Sequence, residues 1–189
     1  MGVDVAAAGA WVLTALAPEA RFALAPHRLT QAASDAAAAL AQQPSGCVRA
    51  ALRPETLAPT LDALLRDLGA NDRQCELLKS EVAPVLTAAM DALGAPTGLL
   101  RLEVVRSQSC PKWHVDRLRL RLGCALHGAG TEYLSPGSDP ERAAAADLKQ
   151  VPAGTFFAMA GSSVGLGLWH RSPHACDQHP RLFLALDPS

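Results

Sequence analysis

From Leu99 onward the chain alternates short apolar segments with turns that contain glycine or proline. No segment between these turns is helical and long enough to carry a crossover between parallel strands, so the strands are expected to pair antiparallel. This pattern is typical of a sandwich or jelly roll. Strands are predicted at 99–105, 110–126, 131–134, 155–160, 165–171 and 181–187.

The first half of the chain, residues 1–94, is rich in alanine and leucine and is predicted to be mainly helical. Helices are expected at 31–42, 56–68 and 71–93, with Thr30, Thr56 and Asn71 at their starts. Residues 6–17 fit either a helix or a strand, and 21–25 and 47–52 fit short strands. We therefore expect one α+β domain over 1–189, in which a helical layer packs on an antiparallel jelly-roll half, residues 95–189.

Composition excludes several functions. The net charge is -1, which argues against general attraction to nucleic acid or to an anionic membrane. Five cysteines without a CxxC pair indicate neither a disulfide framework nor a zinc ribbon, so a reducing, cytoplasmic location is expected. The apolar stretch at 5–16 has no basic residues before it and is too short to span a bilayer, so it is interpreted as a buried element.

Two candidate metal ligands lie in the stretch Cys110-Pro-Lys-Trp-His-Val-Asp116, which continues as Arg117-Leu-Arg-Leu-Arg-Leu122. On a strand, His114 and Asp116 share one face, together with the leucines that follow, while the arginines take the other face. An imidazole and a carboxylate on one face make two-thirds of a 2-His-1-carboxylate metal site. The best candidate for the third ligand is His170, on a later predicted strand.

The order of these parts resembles that in the Fe(II)/2-oxoglutarate oxygenases. In that superfamily a His-x-Asp pair and a distal His hold iron inside a double-stranded β-helix of the cupin-like kind. A basic residue about ten positions after the distal His binds the far carboxylate of 2-oxoglutarate. The resemblance implies that His114, Asp116 and His170 bind Fe(II) and that Arg181 binds 2-oxoglutarate. The expected activity is a mononuclear non-haem dioxygenase whose substrate enters near Trp113 and Tyr133.

A closer resemblance covers nearly the whole chain. The segments that carry it are Leu100-Arg-Leu-Glu-Val-Val105, Cys110–Asp116, Arg119-Leu-Arg121, Gly128-Ala-Gly-Thr-Glu-Tyr133, His170-Arg-Ser-Pro173 and Arg181-Leu-Phe-Leu-Ala-Leu-Asp187. They resemble the bacterial family called domain of unknown function 1826. Members of that family are often encoded near zinc-responsive GTPase metallochaperones, which implies a link to metal supply.

Two alternatives stay open at this point. Thiolate and imidazole ligands suit tetrahedral Zn²⁺, so a non-catalytic zinc- or transition-metal-binding protein is one alternative. Its site would add Cys110, His174 or Cys176 to the three ligands above, and Tyr133 is a further candidate for the site. The other alternative is a structural or interaction domain that binds no metal.

Overall fold

The computed structural model of the protein describes residues 5–189, apart from the side chains of residues 5–8 and 27. Four helices lie in the first half of the chain: α1 (Val5–Thr14), α2 (Gln31–Leu40), α3 (Leu57–Asp67) and α4 (Asp72–Leu93). The strands are β1 (Phe22–Arg28), β2 (Gly46–Leu52), β3 (Gly98–Val105), β4 (Leu120–His127), β5 (Glu132–Leu134), β6 (Leu148–Gln150), β7 (Thr155–Ala160), β8 (His170–Arg171) and β9 (Arg181–Pro188).

The helix boundaries follow from local capping chemistry. The side chain of Thr30 accepts a hydrogen bond from the backbone N–H of Ala33 at the start of α2. Asn71 and Gln74 form a reciprocal capping box at the start of α4, which ends at Gly94 in the left-handed conformation (φ 60°). The predicted starts at Thr30 and Asn71 are thus confirmed, and the open choice at 6–17 is decided in favour of helix α1. None of the described helices combines the length and the apolar character that crossing a bilayer requires.

The strands form two sheets, and all the pairings between described strands are antiparallel. The large sheet has six strands in the order β1-β7-β4-β9-β3-β2, and the small sheet has three in the order β6-β5-β8. The prediction of helices combined with antiparallel sheet is therefore confirmed. The first half of the chain is not helical throughout, because both edge strands of the large sheet, β1 and β2, come from it.

The two faces of the large sheet have different partners. One face packs on the helices through a single core cluster that includes Leu120, Leu122 and Leu184. The opposite face carries a second cluster, in which Phe157 and Phe183 pack with Leu168 from the segment that leads into the small sheet. Polar side chains gather on this second face, so the site lies there.

The prediction of one strand over 110–126 is wrong. Regular pairing begins only at Leu120, where β4 starts, while His114 forms an isolated bridge with His170 on the small-sheet side. The chain passes from one sheet to the other between Asp116 and Leu120, and this crossing resets the alternation of side chains. Leu120 and Leu122 consequently face the helices, not the face that His114 and Asp116 share.

Two further predictions change for related reasons. The predicted strand at 165–171 shortens to β8, since Gly165 and Gly167 adopt positive φ (133° and 61°). Arg117 and Arg119 are exposed. Arg121 is not, because it lines the cavity and donates a hydrogen bond to Asp116.

Candidate metal centre

His114 and His170 are placed side by side by backbone hydrogen bonds. The N–H of each residue donates to the carbonyl of the other, at 3.0 Å in both directions. Residues paired directly across antiparallel strands project to the same face. The two imidazole rings accordingly lie with their centroids 4.3 Å apart.

Asp116 completes a three-residue cluster with these rings. Its Oδ2 lies 3.4 Å from Nε2 of His170, and its Oδ1 lies 4.0 Å from Nε2 of His114. One ligand atom from each residue lies within 4.8 Å of the other two. Two ligands about 2.1 Å from one ion can be up to about 4.2 Å apart, so the two carboxylate–imidazole distances suit groups that share an ion.

The hydrogen bonds of the two imidazoles direct the same nitrogen into the cluster. Nδ1 of His114 lies 2.9 Å from the carbonyl of Lys112, and Nδ1 of His170 lies 3.0 Å from the carbonyl of Leu168. A carbonyl only accepts, so a neutral ring in this position carries its hydrogen on Nδ1. The lone pair is then on Nε2, which is the arrangement of histidines that ligate metals.

The carboxylate of Asp116 is held by Arg121. Nη1 of Arg121 donates to Oδ2 of Asp116 at 2.6 Å, and the rest of the guanidinium forms a bidentate pair with Asp187, at 2.7 Å for each bond. Burial raises the pKa of Asp116, but its contact with the imidazole of His170 and the charge of Arg121 outweigh burial, so the net pKa lies below the usual value. The carboxyl group is therefore ionised and ready to bind a cation.

Sequence analysis missed this role of Arg121. The alternation of arginine and leucine was followed in phase from His114, which assigned Arg121 to the opposite face. The crossing between sheets changes that phase, and no local signal in the residues marks it.

Arg181 is a buried cation in the same cavity. Its Nη2 donates to Oγ1 of Thr131 at 3.0 Å, and its guanidinium lies 4.1 Å from the ring centroid of Phe183. Its Nε is buried and has no hydrogen-bond partner among the described side chains and backbone. Burial lowers the pKa of Arg181 to about 10. A buried guanidinium that no described carboxylate pairs with is suited to an anionic ligand.

A partly open cavity joins the cluster to Arg181. Both imidazoles, Arg121, Arg181 and Thr131 line it. The residues that the sequence placed far apart, at 114–116, 170 and 181, thus converge on a single space. Such a cavity, with a few convergent polar groups, is the usual form of a small-molecule site.

The other candidate residues have different surroundings. Cys110 is exposed and lines the cavity, but in the described part of the chain the metal-compatible cluster consists of His114, Asp116 and His170. His174 is exposed on a loop. Cys176 bridges to His179 on that loop. Tyr133 stacks on Phe22 with ring centroids 4.1 Å apart, and Trp113 lies 4.5 Å beneath the guanidinium of Arg171.

Two oxygenases are among the solved structures that resemble this arrangement of helices and strands. The crystal structure of dioxygenase for auxin oxidation in rice matches with a TM-score of 0.54 and 17% sequence identity, covering 97% of this chain and 76% of that one. A Pseudomonas putida prolyl-4-hydroxylase matches with a TM-score of 0.50 and 13% identity, covering 96% of this chain and 97% of that one. At these identities the likeness establishes the fold class alone.

Family membership follows from the sequence, independently of the fold. The family model described as "Protein of unknown function (DUF1826)" matches residues 10–187, and the chain belongs to that family. No curated protein sequence matches the chain.

Proposed function

We propose that the protein is a mononuclear non-haem Fe(II), 2-oxoglutarate-dependent oxygenase. The two sheets and the helices packed on one of them would then form a double-stranded β-helix with an outer helical layer. One observation carries the proposal: the carboxylate of Asp116 lies beside Nε2 of His114 and Nε2 of His170, and both imidazoles share a cavity with the cation of Arg181. No described carboxylate pairs with that cation, and its Nε has no described hydrogen-bond partner. When bound, Fe(II) and 2-oxoglutarate supply the oxygen-activating chemistry.

The donor set fits Fe(II). Two imidazole nitrogens and one carboxylate oxygen form the facial triad that leaves open positions for a bidentate 2-oxoacid and for O₂. The triad contains no thiolate, which would favour zinc. Hydrogen bonds orient all three donors in the absence of an ion. His114 and His170 each bond to a backbone carbonyl, and Arg121 donates to Asp116.

Arg181 and Thr131 fit the far carboxylate of 2-oxoglutarate. The guanidinium offers a planar set of donors, of which Nε has no described acceptor, and the hydroxyl of Thr131 lies 3.0 Å from Nη2. An anion placed there would neutralise a charge that burial otherwise makes costly. Phe183 packs beneath the guanidinium and limits its movement.

Metal analysis followed by co-substrate titration tests the proposal. Protein purified without oxygen should bind Fe(II), and addition of 2-oxoglutarate should produce a visible charge-transfer band. His114→Ala should abolish both, whereas His174→Ala, which removes an exposed loop histidine outside the cluster, should leave both unchanged. Tight zinc binding that excludes 2-oxoglutarate would instead favour a non-catalytic metal protein. Metal occupancy that survives His114→Ala would reject the site.

A further inference from the structure

The cavity contains two charged groups that the proposed metal and co-substrate do not use. Arg101 and Glu103, two residues apart on β3, project from the same face and line the cavity. Ser109, Cys110 and Ser172 line it beside them. These groups are polar and are not among those assigned to Fe(II) and 2-oxoglutarate, so they are available to recognise the substrate.

Arg101 differs from the other three arginines of the cavity. Arg121 is paired with two aspartates, Arg171 with Glu132 at 2.6 Å, and Arg181 donates to Thr131. Arg101 has no hydrogen bond from its guanidinium and no carboxylate within 4.0 Å, as judged over the described residues. Even Glu103, its neighbour on the strand, does not form an ion pair with it.

A second arginine lies opposite Arg101 on the neighbouring strand, outside the cavity lining. In the register of β2 and β3, Arg49 is the direct partner of Arg101, and Cys47 is the partner of Glu103. Like charges placed directly opposite each other across two strands destabilise a sheet. Charged residues on edge strands such as β2 discourage aggregation, which accounts for Arg49. This reason does not apply to Arg101, because β3 has a neighbouring strand on each side.

We propose that Arg101, supported by Arg49, binds an anionic group, a carboxylate or a phosphate, on the substrate of the oxygenase. That the bound molecule is a substrate rests on the proposed function, but binding of an anion at Arg101 does not require metal or 2-oxoglutarate. An anion bound to Arg101 supplies the partner that its guanidinium lacks, and it reduces the repulsion between the like charges that Arg49 and Arg101 place on adjacent strands. Because Arg101 shares the cavity with His114 and His170, a molecule held by its anionic end extends toward the metal cluster.

Calorimetric titration of the metal-free 189-residue chain tests this site. Four probes with one aromatic ring each are compared at constant ionic strength: benzoate, phenyl phosphate, neutral benzamide and cationic benzylamine. All are titrated in an Arg181→Met background, so that the deep cation does not contribute. We expect benzoate or phenyl phosphate to bind about tenfold or more tightly than the neutral probe. The tighter of the two anions identifies the substrate group as carboxylate or phosphate.

Variants locate the binding. Arg101→Gln should weaken the preferred anion by about tenfold or more, Arg49→Gln by less, and Arg101→Lys should retain part of the affinity. Arg66→Gln, which removes an arginine on the helical side, should have no effect. Thermal unfolding of each variant checks that the fold is retained.

Three results would overturn the proposal: no binding of either anion, equal binding of benzamide, or unchanged affinity in Arg101→Gln. Preference for benzylamine would instead assign substrate recognition to Glu103 and indicate a cationic substrate. Failure of the Fe(II) and 2-oxoglutarate experiment is a separate outcome, because these titrations contain neither.

Discussion

Arg121 donates a hydrogen bond of 2.6 Å to Oδ2 of Asp116, and this contact leaves Oδ1 of the same carboxylate directed toward His114. The other side of the guanidinium is fixed by two bonds of 2.7 Å to Asp187 on β9. A side chain from the large sheet thereby sets the orientation of a carboxylate that lies between the two sheets. Four predictions follow from this and neighbouring contacts.

Arg121→Met should weaken metal binding by about 10- to 100-fold, because Asp116 loses the group that orients it. The two aspartates would also be left without their cation, which should lower the free energy of unfolding by up to about 3 kcal/mol. Metal titration and urea unfolding measure the two effects. Arg66→Gln is the matched control, since Arg66 also joins two aspartates, Asp62 and Asp72, but on the exposed helical side. Equal metal affinity in wild type and Arg121→Met would contradict the role.

Arg181→Met should abolish 2-oxoglutarate binding without lowering the stability of the ligand-free protein. The substitution removes a buried charge whose Nε has no described partner, so the unliganded fold loses little and is relieved of a desolvation cost. The affinity for 2-oxoglutarate should fall about a hundredfold or more. A clear drop in the unfolding midpoint of the ligand-free variant would show that Arg181 has a structural role.

Arg106→Met is the control for that comparison. Arg106 is also partly buried, but its guanidinium caps the end of α2 by donating to the carbonyls of Ala41, Gln42 and Gln43. Its removal should lower the free energy of unfolding by about 1–3 kcal/mol and leave 2-oxoglutarate affinity unchanged. Arg181→Met should therefore lose 2-oxoglutarate binding and keep its stability, whereas Arg106→Met should lose stability and keep 2-oxoglutarate binding.

Cys110→Ser should leave the affinity for divalent metal within about twofold of wild type, because a ligand to the ion would cost far more than that when lost. Cys110 lines the cavity but lies outside the three-residue cluster. Competition with a chromophoric chelator, carried out with Fe(II), Mn(II) and Zn(II), measures the affinities. A loss confined to Zn(II) would support the zinc alternative with a thiolate ligand.

Gly161→Ala should weaken metal binding although residue 161 is not a ligand. An added Cβ would lie 2.1 Å from the carbonyl oxygen of Leu118 and 2.8 Å from that of Asp116, and both are backbone atoms. The segment that carries Asp116 would have to move, and we expect metal affinity to fall about tenfold or more.

Gly137→Ala controls for a general loss of stability. Gly137 has a φ of 88°, so alanine there is strained, but nothing lies within 4 Å of its added Cβ. The variant should be less stable than wild type by about 1–2 kcal/mol and should bind metal normally. Normal metal binding in Gly161→Ala as well would show that the Asp116 segment tolerates the shift.

Local features of the sequence predicted much of the secondary structure. The caps at Thr30 and Asn71 and the helical spacing of the apolar residues after them were sufficient to place α2 and α4. The Gly- and Pro-rich turns after Leu99 were sufficient to indicate antiparallel strands. These features depend on neighbours a few residues apart, so they are visible in the linear chain.

The positions of the candidate ligands were also accessible, because the type and order of His114, Asp116, His170 and Arg181 match a known pattern. Their convergence was decided by the tertiary structure, through the bridge that His114 forms with His170 and the crossing of the chain between sheets after Asp116. The tertiary structure likewise decided which residues surround Arg121 and Arg101. The contacts of Arg121 join residues 5 and 66 positions apart. They depend on strand register and on which face each strand turns to the cavity. An alternating pattern of side chains specifies neither the register nor the face once the chain changes sheets.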